Sequence, residues 1–113
     1  MIKRLEKILK ALAYKSRLRI INMLQDKPLC VCEITEVLGL SQSTVSGHLR
    51  VLRDADLLED SKDGLWVEYR LVNKGIINKQ LFMIIMKTLD GDADMKLDRE
   101  QAKLADREVL CKK

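Results

Sequence analysis

Ile2, Leu5, Ile8, Leu9, Leu12 and Ala13 recur at helical spacing with Lys3, Arg4, Glu6, Lys7 and Lys10 between them, which predicts an amphipathic first helix. Ser16 is placed to cap a second helix bearing Leu18, Ile20, Ile21 and Leu24, and Pro28 ends it near Asp26 because the residue before a proline avoids the α region. A short third helix is expected at about 33–38, closed by Gly39 in the left-handed C′ position. Ser41 then caps a fourth helix running to about Asp54, with Val45, Leu49 and Leu52 on its buried face. From Leu57 the period falls to two: Leu65, Val67, Tyr69 and Leu71 alternate with Trp66, Glu68 and Arg70. Asp63-Gly64 reads as a two-residue turn, giving a hairpin of about 57–61 and 65–71. The stretch 76–89 is apolar nearly all round, and in so short a chain the second burial surface it needs is most simply another copy of itself. Asp90-Gly91-Asp92 breaks that helix, and Asp98 with Gln101 is spaced as a capping box for a charged last helix reaching about Leu110.

Helix, Gly39-Leu40-Ser41 turn, helix and hairpin follow one another in the order of a winged helix-turn-helix. The fold class is therefore mainly α with a β-hairpin wing, and dimeric. Residues 1–90 make the DNA-binding and dimerisation domain, and 91–113 a charged tail or helix. Gln42, Ser43, Thr44 and Ser46 open the fourth helix, with His48 and Arg50 further along; all can hydrogen-bond base edges or phosphates. Small polar residues also serve any well-capped surface helix. Lys62 and Arg70 are the wing's candidate phosphate contacts, although charged hairpins are commonly just solvated. Trp66, on the outward face by alternation, either packs on a neighbouring element or touches DNA.

At 113 residues there is room for one domain, which excludes a two-lobed enzyme with a cleft between its lobes. The longest uncharged apolar run, 81–86, is far short of the roughly 20 residues that span a bilayer. Met1-Ile2-Lys3-Arg4 opens no apolar signal core, so the expectation is a cytoplasmic protein without a membrane partner. The formal charge of +4 is compatible with nucleic acid but unevenly spread. Residues 1–20 hold seven Lys and Arg against Glu6 alone, whereas 41–75 are net −1, so DNA recognition must rest on placed polar side chains and a few arginines.

Ser16-Arg17-Leu18-Arg19-Ile20, Leu38-Gly39-Leu40-Ser41-Gln42-Ser43-Thr44-Val45-Ser46-Gly47-His48-Leu49 and Gly64-Leu65-Trp66-Val67-Glu68-Tyr69-Arg70-Leu71 together resemble the ArsR/SmtB family of dimeric metal-responsive repressors. The resemblance spans about half the chain. It implies homodimers that bind an operator palindrome and leave it when ligand binds, with the helices at about 2–14 and 76–89 as the dimer interface. It places His48, the only histidine, on the recognition helix. Two positions depart from the family pattern: Gly47, where a larger side chain is common, and Asp56, where glycine usually precedes the wing.

Three cysteines cannot all close a disulfide framework, and in a reducing compartment they point to metal, redox or packing roles. Cys30 and Cys32, at i and i+2, face opposite ways on a regular strand or helix, so one ion bridges both only if the backbone turns there. The positive end of a helix favours thiolate, the species that takes soft ions such as As(III), Sb(III), Cd(II) and Pb(II). The plainer alternative is that both are small apolar residues packed under the helix. Within the family, Leu29-Cys30-Val31-Cys32-Glu33-Ile34 resembles the thiolate box of arsenic and cadmium/lead sensors, although Thr35 stands where the best-known arsenic pattern has a third Cys. Cys111 can supply that third ligand, since the segment from Gly91 extends to about 60 Å. A frayed terminal Cys is the alternative. Three soft donors suit pyramidal As(III), whereas zinc usually takes four ligands.

Other chemistries lack their residues. Residues 76–89 contain no His, Asp or Glu for the family's dimer-helix zinc site, and no CxxC, phosphate-binding or dinucleotide motif is present, so no organic cofactor is expected. The expected protein is a non-enzymatic repressor released by As(III) or Sb(III) at Cys30, Cys32 and Cys111. Its rivals are a Cd(II)/Pb(II) sensor on the same thiols, a thiol redox switch, and a small thiol enzyme acting on arsenic species.

Overall fold

The computed structural model describes residues 1–110; Cys111 lies outside the described residues. Among the described residues, seven helices and three strands run in the order α1 (Ile2–Leu12), α2 (Lys15–Met23), β1 (Leu29–Cys30), α3 (Val31–Leu38), α4 (Gln42–Asp54), β2 (Leu58–Asp63), β3 (Trp66–Leu71), α5 (Ile76–Leu89), α6 (Ala93–Leu104) and α7 (Arg107–Leu110). One core, with Ile8, Ile20, Ile21, Ile34, Leu49 and Leu52 fully buried, is shared by α1 to α4. The apolar periodicity thus bound the right faces together. Gly39 closes α3 at φ +70°, and the Ser41 hydroxyl accepts the Thr44 N–H at 3.2 Å to start α4. The result is mainly helical with an antiparallel wing, a winged helix-turn-helix.

Four local readings change. Helix α2 begins one residue before Ser16, with Tyr14 at the N-cap, so Ser16 caps nothing. The wing turn is Gly64-Leu65 rather than Asp63-Gly64, because Asp63 pairs with Trp66 and the positive φ of +62° falls on Gly64 as first turn residue. A third strand joins the hairpin: β1 pairs with β3, Leu29 opposite Tyr69 and Cys30 opposite Glu68, in the order β1-β3-β2. Two residues are too few to show an alternation, so periodicity could not reveal β1. Finally, α6 starts at Asp92, whose carboxylate accepts the Asp94 and Met95 N–H groups, not at Asp98. Asp98 lies inside that helix, where Arg19 of α2 grips it with two hydrogen bonds at 2.7 and 3.1 Å. Buried Asn22 adds a bond to the Met95 carbonyl, so α6 is fastened along α2.

Asp56 precedes the wing at φ +59°, the left-handed region that glycine enters most readily. Its carbonyl accepts Asn78 Nδ2 at 2.9 Å, and the Val72 carbonyl accepts the same amide at 2.8 Å, so α5 closes the base of the wing. The Asp56 side chain is exposed and these are backbone bonds. Asp56→Gly should therefore keep them, relieve the strain and raise stability by about 0.5–1 kcal/mol in urea denaturation. An unchanged or lower midpoint would show that the aspartate carries no such strain.

Candidate metal(loid) and nucleic-acid site

The backbone turn that the Cys30/Cys32 pair requires is present. Strand β1 ends at Cys30, which serves as extended N-cap (φ −88°, ψ 166°) to α3. This change of direction brings the Cys30 and Cys32 sulfurs to 3.2 Å. As reduced thiolates, two donors about 2.3 Å from one ion and that close together would subtend roughly 90° at it, tighter than tetrahedral zinc and suited to a pyramidal centre. Cys30 is buried, opposite Glu68 in the sheet. Its thiol is pushed up from the ordinary value, first by burial and then by the Glu33 carboxylate, against the lowering effects of the Glu33 N–H and Arg107. The helix-end field expected to favour thiolate is thus outweighed by desolvation. Among the described residues, no group of three or more His, Cys, Asp or Glu side chains is placed to hold an ion. Cys111, the expected third ligand, is outside them.

Glu33, spaced three residues after Cys30, completes a capping box: its side chain accepts the Cys30 N–H at 2.8 Å while its own N–H meets the Cys30 sulfur. The carboxylate is buried and also takes Arg107 Nη2 at 3.1 Å. The sequence pattern assigns neither residue a role of its own. The Cys-x-x-Glu spacing is a signal for the first; no local spacing points Arg107 to Glu33, which it meets across 74 positions.

On α4, Gln42, Ser43, Thr44 and Arg50 are exposed and Ser46 is half-buried. Ser41 Oγ donates to Thr44 Oγ1 at 2.8 Å and lies 3.3 Å from Ser43 Oγ, fixing the first-turn hydroxyls. Gly47 has open space where a Cβ would stand. Lys62 is exposed near the wing tip, while Arg70 is paired with Glu68 at 2.8 Å. Trp66 is half-buried and faces Asp63 across the hairpin end.

His48 is held from behind. Arg17 Nε donates to its Nδ1 at 3.1 Å, and the Arg17 guanidinium stacks 4.0 Å over the Tyr14 ring, tying α2 to the recognition helix. That bond requires Nδ1 to be unprotonated, and burial first, then Arg17, push the imidazole below its usual value. The unfolded chain therefore binds this proton more readily, and folded stability should fall as pH drops below about 6.5 toward the folded value. Denaturation midpoints at pH 7 and pH 5 check this: wild type should lose more than His48→Gln, and equal losses would contradict it.

A capped recognition helix, a preceding support helix and a three-stranded wing define a DNA-binding transcriptional regulator of the winged helix-turn-helix class. The profile of the bacterial regulatory protein, arsR family, matches residues 14–60. The arsenical resistance operon repressor of Bacillus subtilis is 34% identical over 96 residues, covering 81% of this chain and 91% of that one. The arsenical resistance operon repressor of Escherichia coli is 45% identical over 65 residues; these cover 57% of this chain and just over half, 56%, of that one. Among solved structures, the homodimeric winged helix-turn-helix DNA-binding domain of a possible ArsR-family regulator from Mycobacterium bovis superposes with a TM-score of 0.69 at 27% identity, covering 79% of this chain and 81% of that one. The chain belongs to the arsR family of bacterial regulatory proteins. No helix among the described residues is long and apolar enough to cross a membrane.

Proposed function

We propose that this protein is a cytoplasmic, homodimeric repressor that binds operator DNA and leaves it when As(III), or Sb(III), is taken by Cys30, Cys32 and Cys111. The observation that carries the reading is the 3.2 Å approach of the Cys30 and Cys32 sulfurs at the start of the support helix. The repressor names of the Bacillus subtilis and Escherichia coli relatives support the same inducer class. Residues 1–90 bind DNA and dimerise; 91–113 bring the third thiol. Gln42, Ser43, Thr44, Ser46 and Arg50 meet the major groove with His48 as a positioned member of the same helix, and Lys62 and Arg70 meet phosphates from the wing.

Ligand binding is tied to shape through two neighbours of Cys30. An ion on its sulfur competes with the Glu33 N–H for the same lone pairs, which loosens the first turn of α3. Because Cys30 also pairs with Glu68 on β3, a backbone shift there moves the wing. The ligand weakens DNA binding only by its preference for the unbound shape, a coupling typically of about 1–3 kcal/mol.

The test is a gel shift on the DNA upstream of the gene, titrated with arsenite, antimonite, cadmium, lead and zinc. Release by arsenite at the lowest concentration is expected. Release by cadmium or lead alone would transfer the site to those ions, and release by peroxide with metals chelated would make it a redox switch. Turnover of arsenic species without DNA would point to an enzyme.

A further inference from the structure

The wing is acidic. Between Leu58 and Leu71 it carries Glu59, Asp60, Asp63 and Glu68 against Lys62 and Arg70, a net −2, on the element that the proposed function brings against DNA phosphates. Two arginines from outside the wing offset this charge. Arg53, at the end of α4, reaches Asp60 at 3.3 Å. Arg107, from α7, spans Asp63 at 2.9 Å and Glu68 at 3.1 Å with one nitrogen, while its other terminal nitrogen holds Glu33 at 3.1 Å. Arg107 is itself mostly buried; burial works against its charge, yet Glu68 and Glu33 hold its guanidinium above the ordinary value. It is thus the one described residue that touches both the wing carboxylates and the cap of α3.

We infer that Arg107 is the counter-ion that makes the wing acceptable to DNA, so that the segment after residue 90 sets DNA affinity as well as carrying Cys111. The inference rests on the reading that the wing meets DNA. With Arg107 in place one unit of positive charge is set against Asp63 and Glu68, beside the Arg70 pair to Glu68. Without it, Asp63 and Glu68 lose their shared cation on the element brought against DNA, and only Arg70 remains beside Glu68. Arg107 acts through those carboxylates and is a positioning residue, not a base contact. It also lies four positions before Cys111, so a ligand that draws on Cys111 pulls at the segment that delivers this charge.

The experiment measures binding of the full chain to the duplex upstream of its gene and to a random-sequence duplex of equal length. Arg107→Gln, verified as folded by circular dichroism, should bind both about tenfold more weakly at about 100 mM salt, with the gap closing as salt rises. Arg107→Lys should retain most of the affinity. Adding Asp63→Asn and Glu68→Gln to Arg107→Gln should restore it. Wild-type affinity in Arg107→Gln, or a loss that neutral wing residues fail to restore, overturns the inference while leaving the repressor reading intact. If Arg107→Gln does not fold, Asp63→Asn/Glu68→Gln alone reads the same charge with opposite sign: it should bind several-fold more tightly, and unchanged affinity overturns the inference. Failure of the wild type to bind either duplex overturns both.

Discussion

Cys30→Ser and Cys32→Ser should each raise the arsenite concentration needed to release DNA by more than about 100-fold, while DNA affinity without arsenite stays close to wild type. Replacing a residue that merely orients a metal ligand already costs about 10–100-fold in affinity, so loss of the ligand itself costs more. A serine hydroxyl is a poor donor for a soft ion. It is, however, a good N-cap, so at position 30 it should preserve or strengthen the bond to the Glu33 N–H and leave α3 and its DNA-competent shape intact. That separation of response from binding is what distinguishes a ligand from a packed residue. If Cys30 and Cys32 were only core thiols, Cys30→Ser would simply bury a hydroxyl at the cap, and both variants would still release DNA at the wild-type arsenite concentration. Fluorescence anisotropy of a labelled upstream duplex reads both quantities in one titration. Cys111→Ser completes the series: a similar loss assigns a three-thiol site, and an unchanged arsenite response confines the site to Cys30 and Cys32.

Where the sequence could be read, burial or a cap imposed a local pattern. Val45, Leu49 and Leu52 fell on the inner face of α4, and Ser41 and Gly39 marked its start and the end of α3, because each of these requirements lies within four residues. Asp56 was visible as a departure from the family pattern, and its positive φ gives that departure a cost. What escaped was long-range. The pairing of β1 with β3 joins Cys30 to Glu68, the Arg19–Asp98 grip crosses 79 positions, and Arg107 meets Glu33 across 74. No local period encodes such contacts. The spacing of Asp98 to Gln101 suggests a cap, but Asp98 pairs with Arg19 inside a helix, and Asp92 at the end of the break caps the terminus instead. The thiol pair was legible as a composition of ligands and not as a geometry: only the strand-to-helix junction shows how residues two apart bring their sulfurs together.

Ile76, Met83 and Ile84 on α5 are 75%, 51% and 59% exposed, and Ile2, Leu5 and Leu9 on α1 are 82%, 41% and 49% exposed, although both helices bury their other faces in the core. Six large apolar side chains are thus uncovered on two helices, and a second copy offers the same faces in return. Ile84→Glu should be tolerated by the folded protomer, because its side chain already meets solvent. Across a two-fold interface it places a charge in an apolar contact from both sides, and desolvating those carboxylates should dissociate the dimer. A protomer then reads one half-site alone and loses the second recognition helix, so DNA affinity should fall by more than about 100-fold. Light scattering on the eluting protein and anisotropy on the upstream duplex test the two steps together. A monomer with weak DNA binding and unchanged helical content is the expected result; a variant that stays dimeric and binds as wild type would place the interface elsewhere than on α5.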